Sequence, residues 1–556
     1  MKRLWFLVIA LVCSMLAYCQ DYSYARKIIR QLADSSTYGR GYIKQGDQKA
    51  ASIIEYRMYD NGFGKSPNFS VFNQKFTYQT FCISVNNIDS VYLALNNIKN
   101  KKREGYDYIV YGFSPTCDIK LKNENCLVFN NKNKLLGYNK QMLQNKVVIL
   151  NKDIMEQQDI DLFLRELNEM SITPKLIIIQ GYEKLKYRVK GKQYGFAVLC
   201  LKGNVFKTSN IPYLHLKISA TYNSQYTTQN IWAVVPGTEY KDSCFMIITH
   251  YDHSGMCGNA LFPGANDNGS GVALLLNLIK YYAQNPQKYS MVFLFCAGKE
   301  LGSQGSEFAI EYPFVELDKV KLLLDLDVCG TGSEGISIVN GKNIPEKARI
   351  FNDINDYTQA FININMKENS VNSNHYPFMT KNIPAFSIYT EGKEDSESGT
   401  VNDKAEILPL TKYPDLFNLI TDYFRILQVE FSDTMSLNGT TWQLKSFVDI
   451  ENNTVDTLPK NTNNFILNFN NENKFTDNEN KITGKTDCND FWWEYKLEKG
   501  IISIKSGLMT EMYCSNSKEA KFIQWSLGDH RFFLKDKTLR LYIDKCHRYL
   551  EFEKIN

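Results

Sequence analysis

Four side chains between residues 245 and 330 are of the types that bind a catalytic metal ion: His250, Asp267, Glu300 and Asp327. Each stands at or just after the end of a predicted strand, in the segments T-H-Y-D-H, G-A-N-D-N-G-S-G, G-K-E-L-G-S-Q-G-S and L-D-L-D-V-C-G. Imidazole nitrogens and carboxylate oxygens are ligands that zinc accepts, and hydrolytic zinc sites are built from such sets. The four segments in this order therefore predict a zinc hydrolase site.

Neighbouring residues suggest further roles in this site. Asp267 lies in a glycine-rich loop that can turn tightly, so its carboxylate is suited to bridge two metal ions about 3.5–4 Å apart. Asp252, two residues after His250, can hold the imidazole in one tautomer. Lys299 precedes Glu300 where such a site needs a carboxylate base. A protonated lysine repels zinc and has no free electron pair, so the motif predicts an impaired base.

Buried strands are the elements that must position these residues. Largely continuous apolar runs at 244–249, 291–295 and 322–326 predict strands covered on both faces, and 272–282 predicts the crossover helix between the first two. An open α/β sheet places its ligands at the carboxyl ends of its strands. The fold class is therefore predicted to be α/β, a mixed sheet flanked by helices.

The remaining segments differ in pattern from this sheet. Residues 24–63 are predicted to be helical, and 70–225 to be a β-rich insertion with strands at 108–111, 126–129, 147–150 and 176–179 and one helix at 160–170. The tail from residue 436 has short strands and an Asn-rich stretch at 461–480, which is typical of a surface loop or hairpin.

Composition and the N-terminus limit the classes of partner and compartment. The 556 residues allow three to four domains of roughly 150 residues each, and a net charge of +4 argues against a nucleic-acid partner.

A signal peptide is predicted at residues 1–19, because two basic residues precede an apolar run at 4–17 and small residues occupy both cleavage positions. The expected location is secreted or periplasmic. A lipid anchor on Cys19 is the alternative, although Tyr18 is bulky for it. No later apolar run reaches the roughly 18 residues of a membrane span.

The cysteines do not have the spacing of a thiolate zinc site. Export permits disulfides, and Cys117–Cys126 and Cys488–Cys514 are the plausible pairs. Three others lie in apolar strands or at their ends and are expected to be buried thiols: Cys244, Cys296 and Cys329.

The motifs resemble those of peptidase family 28, the zinc aminopeptidases related to glutamate carboxypeptidase and glutaminyl cyclase. The four segments above carry the resemblance together with N-S-N-H-Y-P-F, over roughly residues 21–430. The resemblance implies a zinc-exopeptidase-like α/β domain at 20–70 and 226–430, with 71–225 similar to a protease-associated domain. Residues 436–556 resemble a META domain through L-N-G-T-T-W-Q-L, D-C-N and M-T-E-M-Y-C. That domain implies no enzymatic role.

The resemblance also implies the ligand sets. One metal would be held by His250, Asp267 and Asp327; the other by Asp267, Glu300 and a later histidine, and the residue before Glu300 would be the general base. Two positions depart from the family pattern, because the base position is Lys299 and the late histidine aligns with Gly399.

These departures leave competing predictions. His375, in N-H-Y-P-F, is expected to be a pocket residue rather than a replacement ligand. One zinc ion or none is expected rather than two. The chain is then an exported aminopeptidase-type metallopeptidase with weakened or lost activity, or a non-catalytic peptide- or ligand-binding envelope protein on the same fold. A third prediction is a structural envelope protein whose function resides in the META-like tail. Glutaminyl cyclase chemistry is disfavoured, because it would use the broken ligand set. The expected partner is a peptide substrate or ligand, and nothing in the sequence fixes an oligomeric state.

Overall fold

The structure is a computed structural model that describes residues 22–65, 75–95, 102–154, 156–428, 437–450, 454–459, 464–470, 480–498, 501–535, 537–543 and 547–555. The predicted signal peptide, Cys19 and part of the Asn-rich stretch lie outside these residues. The described chain forms two compact units, one within 1–349 and 360–418 and the other within 350–359 and 419–556. No helix among the described residues is long and apolar enough to span a bilayer.

The helices of the described residues have the following bounds: α1 (Tyr22–Leu32), α2 (Gly46–Asp60), α3 (Lys132–Leu136), α4 (Gln157–Glu169), α5 (Gly271–Gln284), α6 (Gln304–Glu311), α7 (Pro345–Thr358), α8 (His375–Met379), α9 (Tyr413–Leu427) and α10 (Glu519–Ser526). The first strands are β1 (Gly64–Lys65), β2 (Lys75–Leu95), β3 (Tyr108–Val110), β4 (Cys117–Asn125), β5 (Leu127–Phe129), β6 (Val147–Asn151), β7 (Leu176–Tyr182), β8 (Val198–Lys202) and β9 (Asn210–Val235).

The strands that follow continue to the end of the chain: β10 (Tyr240–His250), β11 (Gly255–Cys257), β12 (Ala260–Phe262), β13 (Tyr289–Cys296), β14 (Val320–Leu326), β15 (Gly335–Val339), β16 (Ile364–Met366), β17 (Ala385–Glu391), β18 (Thr440–Asp449), β19 (Thr454–Thr457), β20 (Ile466–Asn470), β21 (Asn480–Lys485), β22 (Asp490–Glu498), β23 (Ile501–Met509), β24 (Gly528–Lys535), β25 (Thr538–Ile543) and β26 (Arg548–Lys554).

A mixed sheet of 12 strands is the frame of the first unit. Its main path runs β12-β11-β2-β9-β13-β10-β14-β17-β15-β16. The neighbours β13, β10 and β14 are parallel, and their apolar runs are buried, as expected for strands covered on both faces. Helix α5 is the predicted crossover between β10 and β13. The predicted α/β class is therefore confirmed.

Two long strands connect the central sheet with the insertion. Strands β2 and β9 contain 21 and 26 residues and pair antiparallel from Lys75 with Val234 to Leu95 with Leu214. One end of β9 pairs with β13 and the other with β4. The boundary proposed between residues 225 and 226 thus lies inside a continuous strand.

The insertion also contains its own five-stranded sheet, in the order β3-β8-β7-β6-β5. The predicted strands and the helix at 160–170 are found there as β3, β5, β6, β7 and α4. The expected Cys117–Cys126 disulfide is wrong, since both thiols are free. Cys117 begins strand β4 and Cys126 follows its end. Nine extended residues separate strand ends by roughly 30 Å, far beyond the reach of a disulfide.

The second unit contains an antiparallel sheet that closes on itself. Nine strands run β19-β18-β20-β21-β22-β23-β24-β25-β26, and β18 also pairs with β26, which closes a barrel. Trp442 and Trp493 are buried in its core, whereas Trp492 is 48% exposed. The predicted Cys488–Cys514 disulfide is formed. The predicted small C-terminal β domain is thereby confirmed.

Candidate active site

Three parallel strands bring the predicted metal ligands to one edge of the sheet. His250 is the last residue of β10 and stands in register with Cys296, the last residue of β13. Glu300 lies in the short 3-10 turn that follows β13, and Asp327 directly follows β14. Because parallel neighbours end on the same side, side chains more than 70 positions apart in the chain converge here.

A first cluster of donors consists of His250, Asp267 and Asp327. One ligand atom from each lies within 4.8 Å of the others. Nε2 of His250 lies 3.3 Å from Oδ1 of Asp327 and 3.7 Å from Oδ1 of Asp267. One imidazole and two carboxylates are a donor set that suits zinc, with a coordination position left for water. This is the ligand trio that the resemblance implied for the first metal.

A second cluster shares Asp267 and adds His253 and Glu300, again with one atom from each within 4.8 Å. Sequence reasoning gave His253 no metal-binding role. Its ring is fully buried, and burial lowers the pKa of His253 to about 3, so the imidazole is neutral. The only signal in the sequence was the second histidine of T-H-Y-D-H, three residues after His250.

Lys299 extends its ammonium group between these clusters. Nζ lies 3.4 Å from Oε1 of Glu300 and 3.9 Å from Oδ2 of Asp327. Burial alone lowers the pKa of Lys299, but the carboxylates of Asp327, Glu300 and Asp267 outweigh it and raise the pKa well above its usual value. Conversely, burial raises the pKa of Asp267, but the positive charges near it, above all the Lys299 ammonium, hold it well below its usual range. Lys299 is therefore a cation in the site.

Asp252 supports the site more broadly than predicted. The Nδ1 atom of His250 lies 3.0 Å from the backbone oxygen of Asp252 and 3.6 Å from its carboxylate, so the backbone oxygen orients the ring. The carboxylate accepts hydrogen bonds from the Tyr42 hydroxyl at 2.7 Å and from the backbone nitrogens of Lys299 and Glu300 at 3.3 and 3.1 Å. Asp252 thus fixes the turn that carries the lysine and the glutamate.

The loop around Asp267 is held from two sides. The peptide bond between Asp267 and Asn268 is cis. On one side, the amide of Asn268 donates to the Thr249 hydroxyl and to the Leu326 carbonyl oxygen, both at 2.9 Å. On the other side, the carboxylate of Asp403 accepts from the backbone nitrogen of Asn266 at 2.8 Å. Burial raises the pKa of Asp403 to about 7.

Arg40 also supports this loop and was not recognised from the sequence. Its buried guanidinium donates to the backbone oxygens of Tyr251, Leu32, Pro263, Gly264 and Asp267 over 2.7–3.1 Å. The residue lies in Tyr38-Gly39-Arg40-Gly41, before α2, where no motif distinguishes it from a surface arginine. These hydrogen bonds to five carbonyl oxygens use all the donors of the guanidinium and join the N-terminal segment to the loop around Asp267.

The structure places the two remaining predicted positions beside the clusters. Gly399 has φ +76°, and its backbone nitrogen donates to Asp403 at 3.2 Å, so it lies near the Asp267 loop without supplying a ligand atom. His375 lies 2.7 Å from the hydroxyl of Ser373 through Nδ1 and 3.0 Å from Oδ1 of Asn369 through Nε2. Within the described residues, His375 belongs to neither donor cluster.

A cavity of about 1160 Å³ opens over the clusters. Asp267, Lys299 and Glu300 line its floor, and the insertion contributes its other wall, including Arg165, Arg188, Lys190 and Tyr194. A cavity of this size admits a peptide segment. The insertion therefore helps to form the cavity over the candidate site.

Two family profiles match parts of this chain. Residues 230–422 match the profile of Peptidase family M28, and residues 435–554 match that of the META domain. A probable zinc metalloprotease of Pyricularia oryzae is 32% identical over 127 residues, 22% of this chain and 24% of the relative. An aminopeptidase of Bacillus subtilis is 31% identical over 124 residues, 22% of this chain and 26% of the relative. The chain spans about a quarter of the length of these curated relatives.

Solved structures share the fold over a longer stretch. A zinc aminopeptidase from Bacillus subtilis aligns with a TM-score of 0.56 and 17% identity, over 73% of this chain and 95% of that one. A peptidase M28 precursor from Shewanella amazonensis aligns with a TM-score of 0.57 and 13% identity, over 75% and 96%. The chain thus contains a region that matches the Peptidase family M28 profile, followed by a region that matches the META domain profile.

Proposed function

We propose that this chain is an exported, zinc-binding member of the aminopeptidase type that binds peptides and hydrolyses them weakly or not at all. The observation that carries the proposal is the Lys299 ammonium, 3.4 Å from Glu300, at the position where the resemblance places the base. A protonated amine cannot take a proton from water. A positioned general base contributes typically about 10²–10⁴-fold to such reactions.

His250, Asp267 and Asp327 would hold one zinc ion. The fit is supported by the donor types and by Oδ1 of Asp267, which is buried and has no hydrogen-bond partner among the described residues. When bound, zinc supplies a Lewis acid that polarises a carbonyl and acidifies water. The chain's own residues orient this arrangement, since the Asp252 backbone oxygen fixes the ring of His250.

Peptide binding without hydrolysis is the second candidate, and the same lysine favours it. The cavity joins buried carboxylates, a fixed ammonium and polar side chains of the insertion. A cation at the floor can attract the carbonyl oxygen or carboxylate of a bound peptide without cleaving it. The two candidates differ in turnover, not in binding.

Metal analysis combined with an assay on aminoacyl-4-nitroanilides tests the proposal. We expect at most one zinc ion per chain and hydrolysis near background. Peptide binding should nevertheless be detectable by calorimetry. Replacing the lysine by a carboxylate, Lys299→Glu, should raise hydrolysis, whereas its matched control Lys190→Glu, in the insertion wall of the same cavity, should leave hydrolysis near background. Zinc-dependent turnover by the unmodified protein at the level of intact aminopeptidases would overturn the proposal.

Export is the remaining part of the proposal. The leader-like composition of residues 1–19 and the Cys488–Cys514 disulfide support it, because disulfides persist mainly in oxidising compartments. N-terminal sequencing of the protein isolated from a Gram-negative host is the test. We expect a new terminus near Gln20 in the periplasmic or secreted fraction, and an intact Met1 in the cytoplasm would refute it.

A further inference from the structure

His253 is a buried imidazole without hydrogen-bond partners. Only 1% of the residue is exposed, and among the described residues neither ring nitrogen has a hydrogen-bond partner. Buried polar groups are nearly always paired, because an unpaired group loses its water without compensation. An unpaired buried group therefore calls for an explanation such as a bound ion.

The ring points at a second unpaired atom. Nδ1 of His253 lies 3.9 Å from Oδ1 of Asp267, which is also buried without a hydrogen-bond partner. Glu300 completes a set whose ligand atoms lie within 4.8 Å of each other. Ligands of a tetrahedral zinc ion lie roughly 3.4 Å apart, so only small side-chain rotations separate this arrangement from a closed site.

Packing holds the ring in this direction. A Cβ atom on Gly264 would lie 2.4 Å from Cδ2 of His253 and 2.7 Å from the guanidinium of Arg40. The glycine thus allows the loop backbone to pass against the imidazole, and the backbone nitrogen of His253 donates to the Arg40 carbonyl oxygen at 3.2 Å. The imidazole is preorganised next to Asp267.

We propose that His253, Asp267 and Glu300 form a second divalent-cation site, in which His253 takes the place of the histidine that this chain lacks at position 399. The inference rests on the proposed function, because Asp267 is shared with the first site. His375 cannot fill this role, since Ser373 and Asn369 already engage both of its ring nitrogens.

Lys299 sets the affinity of this second site. Its ammonium lies 3.4 Å from the Glu300 oxygen that would bind the ion. The ammonium and a divalent cation therefore compete for the same carboxylate and repel each other. The wild-type chain accordingly binds an ion at the second site more weakly than at the first, where the nearest carboxylate oxygen lies 3.9 Å from the ammonium.

The test is the metal stoichiometry of the full chain, with Zn²⁺ measured by equilibrium dialysis and Co²⁺ by visible absorption. We expect Lys299→Gln to tighten binding of a second ion by about tenfold or more. Adding His253→Ala or Glu300→Gln to that variant should abolish the second ion and its cobalt bands. His375→Ala and Lys190→Gln are the matched controls. Introduced into the wild type or into Lys299→Gln, each should leave the number of bound metal ions unchanged.

The outcomes separate this inference from the proposed function. Lys299→Gln/His250→Ala should lose the first ion and keep the second. If the wild type binds no ion while Lys299→Gln gains one that depends on His253, the first-site assignment fails and the inference stands. A second ion that persists in folded Lys299→Gln/His253→Ala and Lys299→Gln/Glu300→Gln overturns the inference, as does its absence from Lys299→Gln.

Discussion

The ammonium nitrogen of Lys299 lies 3.4 Å from Oε1 of Glu300, the next residue in the chain, and 3.9 Å from Oδ2 of Asp327. One side chain therefore touches a carboxylate from each of the two donor clusters. Its positive charge stabilises these acids when no metal is present, and the same charge opposes a metal that would bind there. The consequences can be measured by changing this residue and those that support the clusters.

Replacing the lysine by a carboxylate should restore hydrolysis. Lys299→Glu supplies a base and removes the competing cation, so we expect kcat/KM on leucyl-4-nitroanilide to rise about 10²-fold, at the low end of what a general base contributes. Lys299→Gln is the control, because it removes the charge without adding a base. Equal rates for the two variants would show that the base position is not what limits turnover.

Installing the family histidine at position 399 should help little. The backbone there has φ +76°, and a residue with a Cβ atom costs about 1–2 kcal/mol in that region. We expect Gly399→His and Gly399→Ala to lower the free energy of unfolding equally in urea titrations. In the Lys299→Glu background, Gly399→His should not raise kcat/KM further. A tenfold gain would instead identify position 399 as the missing ligand.

Loss of the Arg40 guanidinium should destabilise the metal-binding loop. Its nitrogens donate to five backbone oxygens, including that of Asp267. Arg40→Met leaves these buried acceptors unpaired, and we expect a loss of about 3–5 kcal/mol in unfolding free energy together with weaker zinc binding. Arg40→Lys retains the charge but not the fork, so an intermediate loss is expected. An unchanged denaturation midpoint in Arg40→Met would contradict the assigned role.

The acid Asp47 should make stability depend on pH. Burial raises the pKa of Asp47 to about 6, although Tyr226 and Thr228 donate hydrogen bonds that lower it. The folded state then holds the proton more tightly than the unfolded state, whose pKa is near 3.8. The contribution of Asp47 to stability should therefore fall as pH rises from about 4 to about 6, by on the order of 3 kcal/mol, and stay level above, while the raised pKa of Asp403 contributes a fall of its own.

Asp47→Asn should remove the contribution of Asp47 and make the fall between pH 4 and 6 smaller by that amount, as measured by urea titrations at closely spaced pH values. Asp60→Asn is the matched control, because Asp60 ends the same helix with its side chain about half exposed. A fall between pH 4 and 6 that is as large in Asp47→Asn as in the wild type would contradict the assignment of this proton to Asp47.

The sequence was sufficient for the parts of the site that follow from strand geometry. Apolar runs located β10, β13 and β14, and residues directly after parallel neighbours must meet at one edge. The convergence of His250 and Asp327 was predictable for that reason. The Cys488–Cys514 disulfide could be predicted as plausible, because cysteines in a compact β domain have few alternatives.

Other features depend on contacts that no local pattern encodes. Arg40 binds carbonyl oxygens, which every residue has, so its acceptors leave no trace in the sequence. The burial of His253 depends on how the Gly264 loop packs against it. Strands β2 and β9 extend beyond their apolar runs, because each provides the other's hydrogen-bond partners over polar stretches. The expected Cys117–Cys126 pair failed because proximity in sequence is not proximity across an extended strand.

The carboxylate of Asp403 has a consequence for how this site can be altered. It accepts from the backbone nitrogens of Asn266 and Gly399, so it fixes main chain rather than metal. The loop is consequently held by Asp403 through backbone atoms, which every residue type has. The side chain at position 399 can therefore change while the loop around Asp267 keeps its conformation. Because the loop does not depend on the side chain at position 399, substitutions there can change the chemistry of the site without unfolding the protein.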